Sequence, residues 1–169
     1  WSYAGLTPDV VLEALESVGL RGSGRLLALN SYENRVYQVW MDEGPPVVTK
    51  FYRPGRWSTA AILEEHAFTA ELNEHEIPVV PALPIGGKTL HDHRGFRFAV
   101  FPRRGGRAPE FGDPKTLEWM GRFIGRIHAV GAVRVFHERP SIDCASHGEE
   151  PRDYLLSHAF LPADLADAW

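Results

Sequence analysis

A lysine inside an apolar run is the feature that most constrains how this chain can fold. Lys50 lies within residues 47–52, which read Val-Val-Thr-Lys-Phe-Tyr and have the composition of a buried strand. Burying an unpaired ammonium group is costly, so Lys50 needs either an anion beside it or access to water. A lysine on an edge strand, where the charge discourages aggregation, is the alternative interpretation.

The helix predicted after this strand supplies a suitable anion. Residues 58–76 read as a helix. One face of it, at spacings i, i+4, i+7 and i+11, consists of Ala61, Glu65, Phe68 and Leu72. Glu65 is therefore expected to face inward, whereas Glu64 falls on a more solvated side. We expect Glu65 to pair with Lys50.

The region before the lysine strand predicts a helix followed by a hairpin. Residues 7–19 begin with the helix-start pair Thr-Pro, carry an apolar stripe and end at a glycine. Strand periodicity then runs from residue 25 to residue 52, and residues 42–46 (Asp-Glu-Gly-Pro-Pro) form a hairpin connection. This part of the chain predicts three antiparallel strands, the third of which contains Lys50.

The region after the second helix predicts two more strands and a third helix. Strands are expected at residues 79–85 and 96–101, with residues 88–91 as a possible partner. Residues 113–131 open with Asp-Pro, repeat apolar residues at helical spacing and end at a glycine. The predicted class is therefore α+β, a five-stranded antiparallel sheet with helices.

The turn between the first two strands is a candidate phosphate-binding turn because of its position ahead of the lysine strand. Its residues are Asn30, Ser31, Tyr32, Glu33 and Asn34. The Ser31 hydroxyl and the backbone N–H groups would donate hydrogen bonds to phosphate oxygens. Glu33 would repel a phosphate unless it turns away or meets a metal. The turn contains no glycine, so an ordinary hairpin turn with a left-handed asparagine is an equal alternative.

A segment near residue 102 is the candidate site for a nucleotide base. The fifth predicted strand ends in Phe101 and Pro102 and leads into a basic, glycine-containing turn. Because proline has no N–H group, the carbonyl of Pro102 and the N–H of Arg104 are the expected contacts to adenine. The alternative is that the segment is only a core strand and a linker.

Composition excludes several classes of function. A net charge of -4 argues against bulk binding to nucleic acid, and the basic cluster at residues 103–107 is typical of a solvated turn. No apolar run reaches the length of a membrane helix, and no secretory signal opens the chain. The single cysteine, Cys144, forms no internal disulfide and favours a reducing cytoplasm.

Eight histidines raise the alternative of a metal site. His91 and His93 would share one side of an extended segment, but no third ligand stands at a recognisable spacing. An isolated histidine such as His128 is more often a packing or capping group. The sequence therefore predicts no metal site within these residues.

The order of turn, lysine strand and carboxylate-bearing helix is typical of the nucleotide-binding lobe of kinases. The sequence contains no His-Gly-Asp or His-Arg-Asp followed by Asn, and no Asp-Phe-Gly segment. Asp143, Asp153 and Asp164 lack the surrounding motif and are not assigned as catalytic residues. We therefore expect the chain to be the front part of a larger enzyme, with the catalytic residues beyond Trp169.

Five segments together resemble the stress response kinase A family, within the group that contains aminoglycoside phosphotransferases and choline kinases. These segments are residues 30–38, 50–54, 62–66, 98–102 and 105–107. The resemblance implies a cytoplasmic, Mg²⁺-dependent Ser/Thr protein kinase of the stress response, with ATP held by Ser31 in the turn and by Lys50. It also implies two lobes, which we expect at residues 1–102 and from residue 113 onward, joined by a hinge at 103–112.

Three expectations concern the whole protein. The Mg²⁺ ligands are expected beyond Trp169, and the chain at full length is expected to act as a monomer on a protein substrate. The residues present here are expected to be inactive alone. A small-molecule phosphotransferase and a non-catalytic nucleotide-binding or interaction module remain as alternatives.

Overall fold

The computed structural model describes residues 3–158 together with residues 160, 162 and 165. Two compact units can be distinguished, one up to Glu138 and one from Arg139 onward. The elements of the first unit are α1 (Pro8–Glu16), β1 (Gly22–Leu29), β2 (Arg35–Met41), β3 (Val47–Phe51), α2 (Thr59–Glu74), β4 (His91–His93), β5 (Phe96–Pro102) and α3 (Pro114–Gly131). The second unit contains a π-helical turn (Ala145–Glu149) that continues into α4 (Glu150–Ser157).

The five strands form one antiparallel sheet in the order β1-β2-β3-β5-β4. The strand that contains Lys50 is therefore the central one, with Val36 of β2 and Ala99 of β5 as its cross-strand neighbours. The edge-strand interpretation of Lys50 is wrong, because β3 is hydrogen-bonded on both sides.

One of the five predicted strands is not where the sequence pattern put it. Residues 79–85 form no strand: Leu83 donates a single backbone hydrogen bond to the carbonyl of Val100, and Ile85 makes an isolated bridge to Lys88. Prolines at positions 81 and 84 interrupt the segment, and they have no N–H group to donate to a ladder. The prediction of a strand at 79–85 is therefore wrong.

The fifth strand is instead β4, which begins at the last residue of the possible partner segment 88–91. A two-residue turn, Arg94-Gly95, joins it to β5, and both residues have positive φ, 52° and 81°. This is the backbone conformation that matches the twist of a tight hairpin.

Helices cover both faces of the sheet because the strand residues alternate between them. On one face, α1 buries Val11 and Leu15 against Phe51 and Phe98. On the other face, Ile62 of α2 lies in a second cluster together with Tyr52, Ala82 and Ala99. Lys50 shares this second face with Tyr52, because the two are separated by one residue. Helix α2 therefore lies opposite the lysine, as the sequence predicts.

Ser58 fixes the start of α2. Its hydroxyl oxygen accepts a hydrogen bond from the N–H of Ala61 at 2.9 Å. Replacing this cap by alanine leaves the N–H without its partner, so Ser58→Ala should lower the free energy of unfolding by about 1 kcal/mol. Urea denaturation would measure it. Ser58→Asn provides the control, because asparagine caps equally well; equal losses in both variants would contradict the role of the cap.

Helix α3 begins and ends as predicted. Asp113 caps it by accepting hydrogen bonds from Lys115 N at 3.3 Å and from Thr116 N at 3.2 Å. Its carboxylate also accepts one from the Thr116 hydroxyl, and these bonds hold the pKa of Asp113 below its ordinary value. No residue of α3 is buried. None of the described helices combines the length and the apolarity that a membrane span needs.

Candidate functional site

An ion pair between β3 and α2 lies at the centre of the candidate site. Lys50 Nζ and Glu65 Oε1 are 3.0 Å apart. Their side chains are 23% and 32% exposed, so the pair is half-buried and still reachable from solvent. The sequence pattern led to this contact, because alternation along β3 and helical spacing along α2 turn both side chains toward each other.

A cleft of about 360 Å³ opens beside this pair. It is lined by Val36, Val48, Lys50, Glu65, His66, Thr69, Val80, Ala82, Phe101, Pro102 and Arg104. Most of its wall is apolar, and the charged groups lie at the ion pair and at Arg104. A site with apolar walls and a few convergent polar groups suits an aromatic ring with a charged tail. The predicted base-binding residues Phe101, Pro102 and Arg104 all line this cleft, together with Lys50.

The turn between β1 and β2 is held in place by its own contacts and does not line the cleft. The Ser31 hydroxyl donates a hydrogen bond to the carbonyl of Asn34 at 2.7 Å, and the Asn34 side chain accepts one from Arg53 N at 3.2 Å. Tyr32 is fully exposed. Neither asparagine of the turn has positive φ, so the left-handed asparagine alternative is wrong.

The side chain of Glu33 is paired with an arginine. Its carboxylate forms an ion pair with the guanidinium of Arg56, with Oε1 and Nε 2.6 Å apart. Its backbone carbonyl accepts a hydrogen bond from the hydroxyl of Tyr3 at 3.1 Å. The repulsion between Glu33 and a phosphate, which its position in the sequence suggested, is therefore reduced by the neighbouring arginine.

The sequence did not predict a series of buried hydrogen bonds that links three side chains next to the ion pair. The Tyr52 hydroxyl lies 2.6 Å from His66 Nε2, and His66 Nδ1 lies 2.9 Å from the hydroxyl of Thr89. Burial lowers the pKa of His66; the Glu65 carboxylate opposes the shift and the Lys50 ammonium adds to it. Only residue spacing could have indicated the contact of Tyr52 with His66: Tyr52 is two residues after Lys50, and His66 directly follows Glu65.

The expectation that Glu64 lies on a solvated side of α2 is wrong, because Glu64 is half-buried and hydrogen-bonded. Its two carboxylate oxygens accept hydrogen bonds from the backbone N–H groups of His137 and Glu138, at 2.7 and 3.0 Å. The same stretch after α3 contacts α2 through the ring of Phe136, whose centroid is 5.0 Å from that of Phe68. Helical spacing could not reveal this, because the partner is the backbone of a segment more than 70 residues away.

Removing the Glu64 carboxylate should loosen the segment after α3. In Glu64→Ala two backbone donors lose a charged acceptor, and we expect the free energy of unfolding to fall by about 1 kcal/mol. Hydrogen exchange at the amides of His137 and Glu138 should accelerate. Glu74→Ala is the matched control, since Glu74 is an exposed glutamate of the same helix; equal exchange in both variants would contradict the assignment.

His91 and His93, which the sequence suggested as possible metal ligands, make other contacts. His93 Nε2 lies 3.4 Å from the Glu13 carboxylate, and the His91 ring packs against that of Phe98 at 5.5 Å. Within the part of the chain that the structure describes, no group of three or more His, Cys, Asp or Glu side chains could hold a metal ion.

The acidic residues that the sequence left unassigned have local contacts where they are described. Asp143 accepts a hydrogen bond from Ser146 N at 2.8 Å, and Asp153 forms an ion pair with Arg152 at 2.7 Å. Asp164 lies outside the described residues. Cys144 is exposed and carries a free thiol.

Comparison with protein families gives a match over most of the chain. The phosphotransferase enzyme family matches residues 25–169. The chain belongs to this family. Within the phosphotransferases, it is 41% identical over all 169 residues to stress response kinase A of Shigella flexneri and 40% identical to stress response kinase A of Escherichia coli K12. It is also 40% identical over 163 residues to the serine/threonine protein kinase RdoA of Salmonella typhimurium.

These matches confirm the resemblance to stress response kinase A that the five sequence segments indicated. They cover 96% to 100% of this chain but only 50% to 52% of the relatives. The chain therefore spans about half the length of the curated relatives it matches.

Two solved structures share the fold of this phosphotransferase chain. The first, an amicoumacin kinase in complex with AMP-PNP, Ca²⁺ and amicoumacin, superimposes with a TM-score of 0.71 at 18% identity, covering 92% of this chain and 48% of the kinase. The second, a spectinomycin phosphotransferase in complex with ADP and spectinomycin, has a TM-score of 0.58 at 11% identity, covering 88% and 45%. The predicted α+β class is confirmed: a kinase-like N-terminal lobe built on a five-stranded antiparallel sheet with helices.

Proposed function

We propose that this chain forms the ATP-binding part of a kinase that transfers the γ-phosphoryl group of ATP to a serine or threonine hydroxyl of a protein. The observation that carries the proposal is the ion pair of Lys50 and Glu65 at the edge of an apolar cleft. Identity of about 40% with proteins named as stress response kinase A, and with one named as a serine/threonine protein kinase, supports this type of reaction.

The residues of the cleft fit an adenine nucleotide. Val36, Val48 and Phe101 supply apolar surface for the faces of the base. The carbonyl of Pro102 and the N–H of Arg104 are our candidates for the polar edge of the base. Lys50 has three N–H donors, and its hydrogen bond to Glu65 uses one of them. The remaining donors would hold phosphate oxygens, with the ammonium oriented by the carboxylate.

The turn after β1 is proposed to cover the phosphates. The Ser31 hydroxyl would exchange its hydrogen bond to the carbonyl of Asn34 for one to a phosphate oxygen, and the backbone N–H groups of Tyr32, Glu33 and Asn34 would add further donors. The ion pair of Glu33 with Arg56 supports this role, because the guanidinium offsets the negative charge that would repel a bound phosphate.

Magnesium would neutralise negative charge on the phosphates when it is bound. The described residues contain no cluster of ligands for it, and we propose that its ligands and the catalytic base belong to segments after Trp169. Residues 1–169 alone should then bind nucleotide weakly and transfer no phosphate. We keep the lobe boundaries at 102 and 113, a cytoplasmic location and a monomeric state as predictions for the whole protein.

Phosphate transfer by the protein at its natural length tests the proposed function. Incubation with γ-labelled ATP and Mg²⁺ should label the protein itself and generic protein substrates on serine and threonine. A panel of aminoglycosides, choline and sugar alcohols should remain unlabelled. Labelling of small alcohols alone would favour a small-molecule phosphotransferase, and no labelling of any acceptor would favour a binding module.

A further inference from the structure

Helix α2 contacts the lysine strand through two adjacent residues. Glu65 binds Lys50 at 3.0 Å, and His66 binds the hydroxyl of Tyr52 at 2.6 Å. Lys50 and Tyr52 are two residues apart, so their side chains leave the chain on the same face of the sheet. The ammonium of Lys50 lies 4.6 Å from the centre of the Tyr52 ring.

We propose that Tyr52 and His66 are positioning residues for Lys50, holding its ammonium where a phosphate group binds. This inference rests on the proposed function of the cleft. It adds a second contact between α2 and the lysine strand to the ion pair itself.

The Tyr52 ring provides a fixed surface beneath the charge. A cation over the face of an aromatic ring is attracted to it, more strongly where water is excluded. Tyr52 is 2% exposed and His66 is 5% exposed, so their contact is shielded from solvent. A lysine side chain has several rotatable bonds and loses much conformational entropy when it is fixed. The Tyr52 ring, which is already fixed, lowers the free-energy cost of holding the ammonium in one place.

The hydrogen-bonded chain keeps the ring itself from moving. The Tyr52 hydroxyl is bound to one ring nitrogen of His66, and the other nitrogen is bound to the Thr89 hydroxyl. A neutral imidazole can donate at one nitrogen and accept at the other, so both neighbours are satisfied without a buried charge. The ring of Phe101 packs edge-on against the imidazole with centroids 6.3 Å apart, and Phe101 also lines the cleft.

A role in packing alone predicts a different behaviour from a role that acts through the lysine. Loss of packing destabilises the protein equally whether or not position 50 carries a charge. A positioning role disappears once Lys50 is gone, because residues that act as one unit have strongly non-additive effects on rate.

The test is a double-mutant cycle in the protein at its natural length, using γ-labelled ATP and a generic protein acceptor. Tyr52→Leu removes the ring, and Tyr52→Phe keeps the ring but loses the hydroxyl. Against the natural protein, Tyr52→Leu should lower kcat roughly tenfold with little change in the KM for ATP, and Tyr52→Phe should lower it less. In a Lys50→Met background neither variant should lower kcat further.

His66→Phe gives a second measurement that keeps an aromatic ring of similar volume. It removes the hydrogen bond to Tyr52 and also the one to the Thr89 hydroxyl, so it should lower kcat at least as much as Tyr52→Phe. Adding Tyr52→Phe to His66→Phe should lower kcat no further, because the bond between the two side chains is already absent. Melting temperatures of all variants identify any that fail to fold, and the conservative variant Tyr52→Phe then carries the comparison.

The outcomes separate this inference from the proposed function. If Lys50→Met itself keeps full activity, the proposed nucleotide site is wrong and the inference falls with it. If Lys50→Met lowers kcat as expected but Tyr52→Leu and Tyr52→Phe leave kcat unchanged, only the inference is overturned. Equal rate losses from Tyr52→Leu with and without Lys50 would also overturn it, since they would mean a packing role.

Discussion

Replacing Lys50 by methionine should reduce kcat for phosphate transfer by roughly 10²- to 10³-fold, the size of effect seen when one charge-stabilising donor is removed from an active site. The ammonium lies on the central strand and is held by Glu65, so it presents a fixed positive charge to the cleft. Phosphoryl transfer depends on aligning the phosphates and neutralising their charge rather than on covalent chemistry by the protein. Methionine keeps an unbranched side chain up to the ε position and removes the ammonium group, with its charge and its three hydrogen-bond donors.

Steady-state kinetics of the protein at its natural length, with the KM for ATP and kcat measured separately, would check this expectation. Lys88→Met is the matched control, because Lys88 is an exposed lysine that lies outside the cleft. Its kinetics should equal those of the natural protein. A Lys50→Met variant with natural kcat and KM would mean that the nucleotide binds elsewhere.

Replacing Glu65 by glutamine should reduce kcat by roughly 10- to 10²-fold, which is the cost of misplacing a reacting group by about 1 Å. Glutamine keeps the shape and one acceptor oxygen but loses the charge that holds the ammonium at 3.0 Å. Lys50 would remain charged and free to sample other positions in the half-buried site. The effect should therefore be smaller than that of removing the lysine itself.

The kcat of the double variant of Lys50→Met and Glu65→Gln tests whether Glu65 acts on the reaction through Lys50. If Glu65 acts through Lys50, the double variant should be no slower than Lys50→Met alone. Glu74→Gln serves as the control because Glu74 is exposed on the same helix. Additive losses in the double variant would mean that Glu65 acts on the reaction by another route.

The parts of the fold that follow from local rules could be predicted from the sequence. The cap and proline that start α1, the serine that caps α2 and the Asp-Pro pair that opens α3 gave the helix starts within one residue. The contact between Lys50 and Glu65 followed from two periodicities, alternation in the strand and 3.6 residues per turn in the helix. Each of these depends on residues close together in the chain.

The features that could not be predicted depend on partners distant in the chain. The segment at 79–85 has the composition of a strand, yet its prolines leave it with only scattered hydrogen bonds, and β4 takes the place beside β5. Glu64 is held by the backbone of residues 137 and 138, which carries no side-chain signal in the sequence. The contact of Tyr52 with His66 required the register of α2 against the sheet, which only the folded structure provides.

The most direct test of the account is a crystal structure of the protein at its natural length with a non-hydrolysable ATP analogue and Mg²⁺. We predict the base packed against Val48 and Phe101, which are cross-strand neighbours on the cleft side of the sheet, and a phosphate oxygen about 3 Å from Lys50 Nζ, the usual length of a charge-assisted hydrogen bond. A nucleotide bound outside this cleft, or one whose phosphates point away from Lys50 while Glu65 still holds the ammonium, would contradict it.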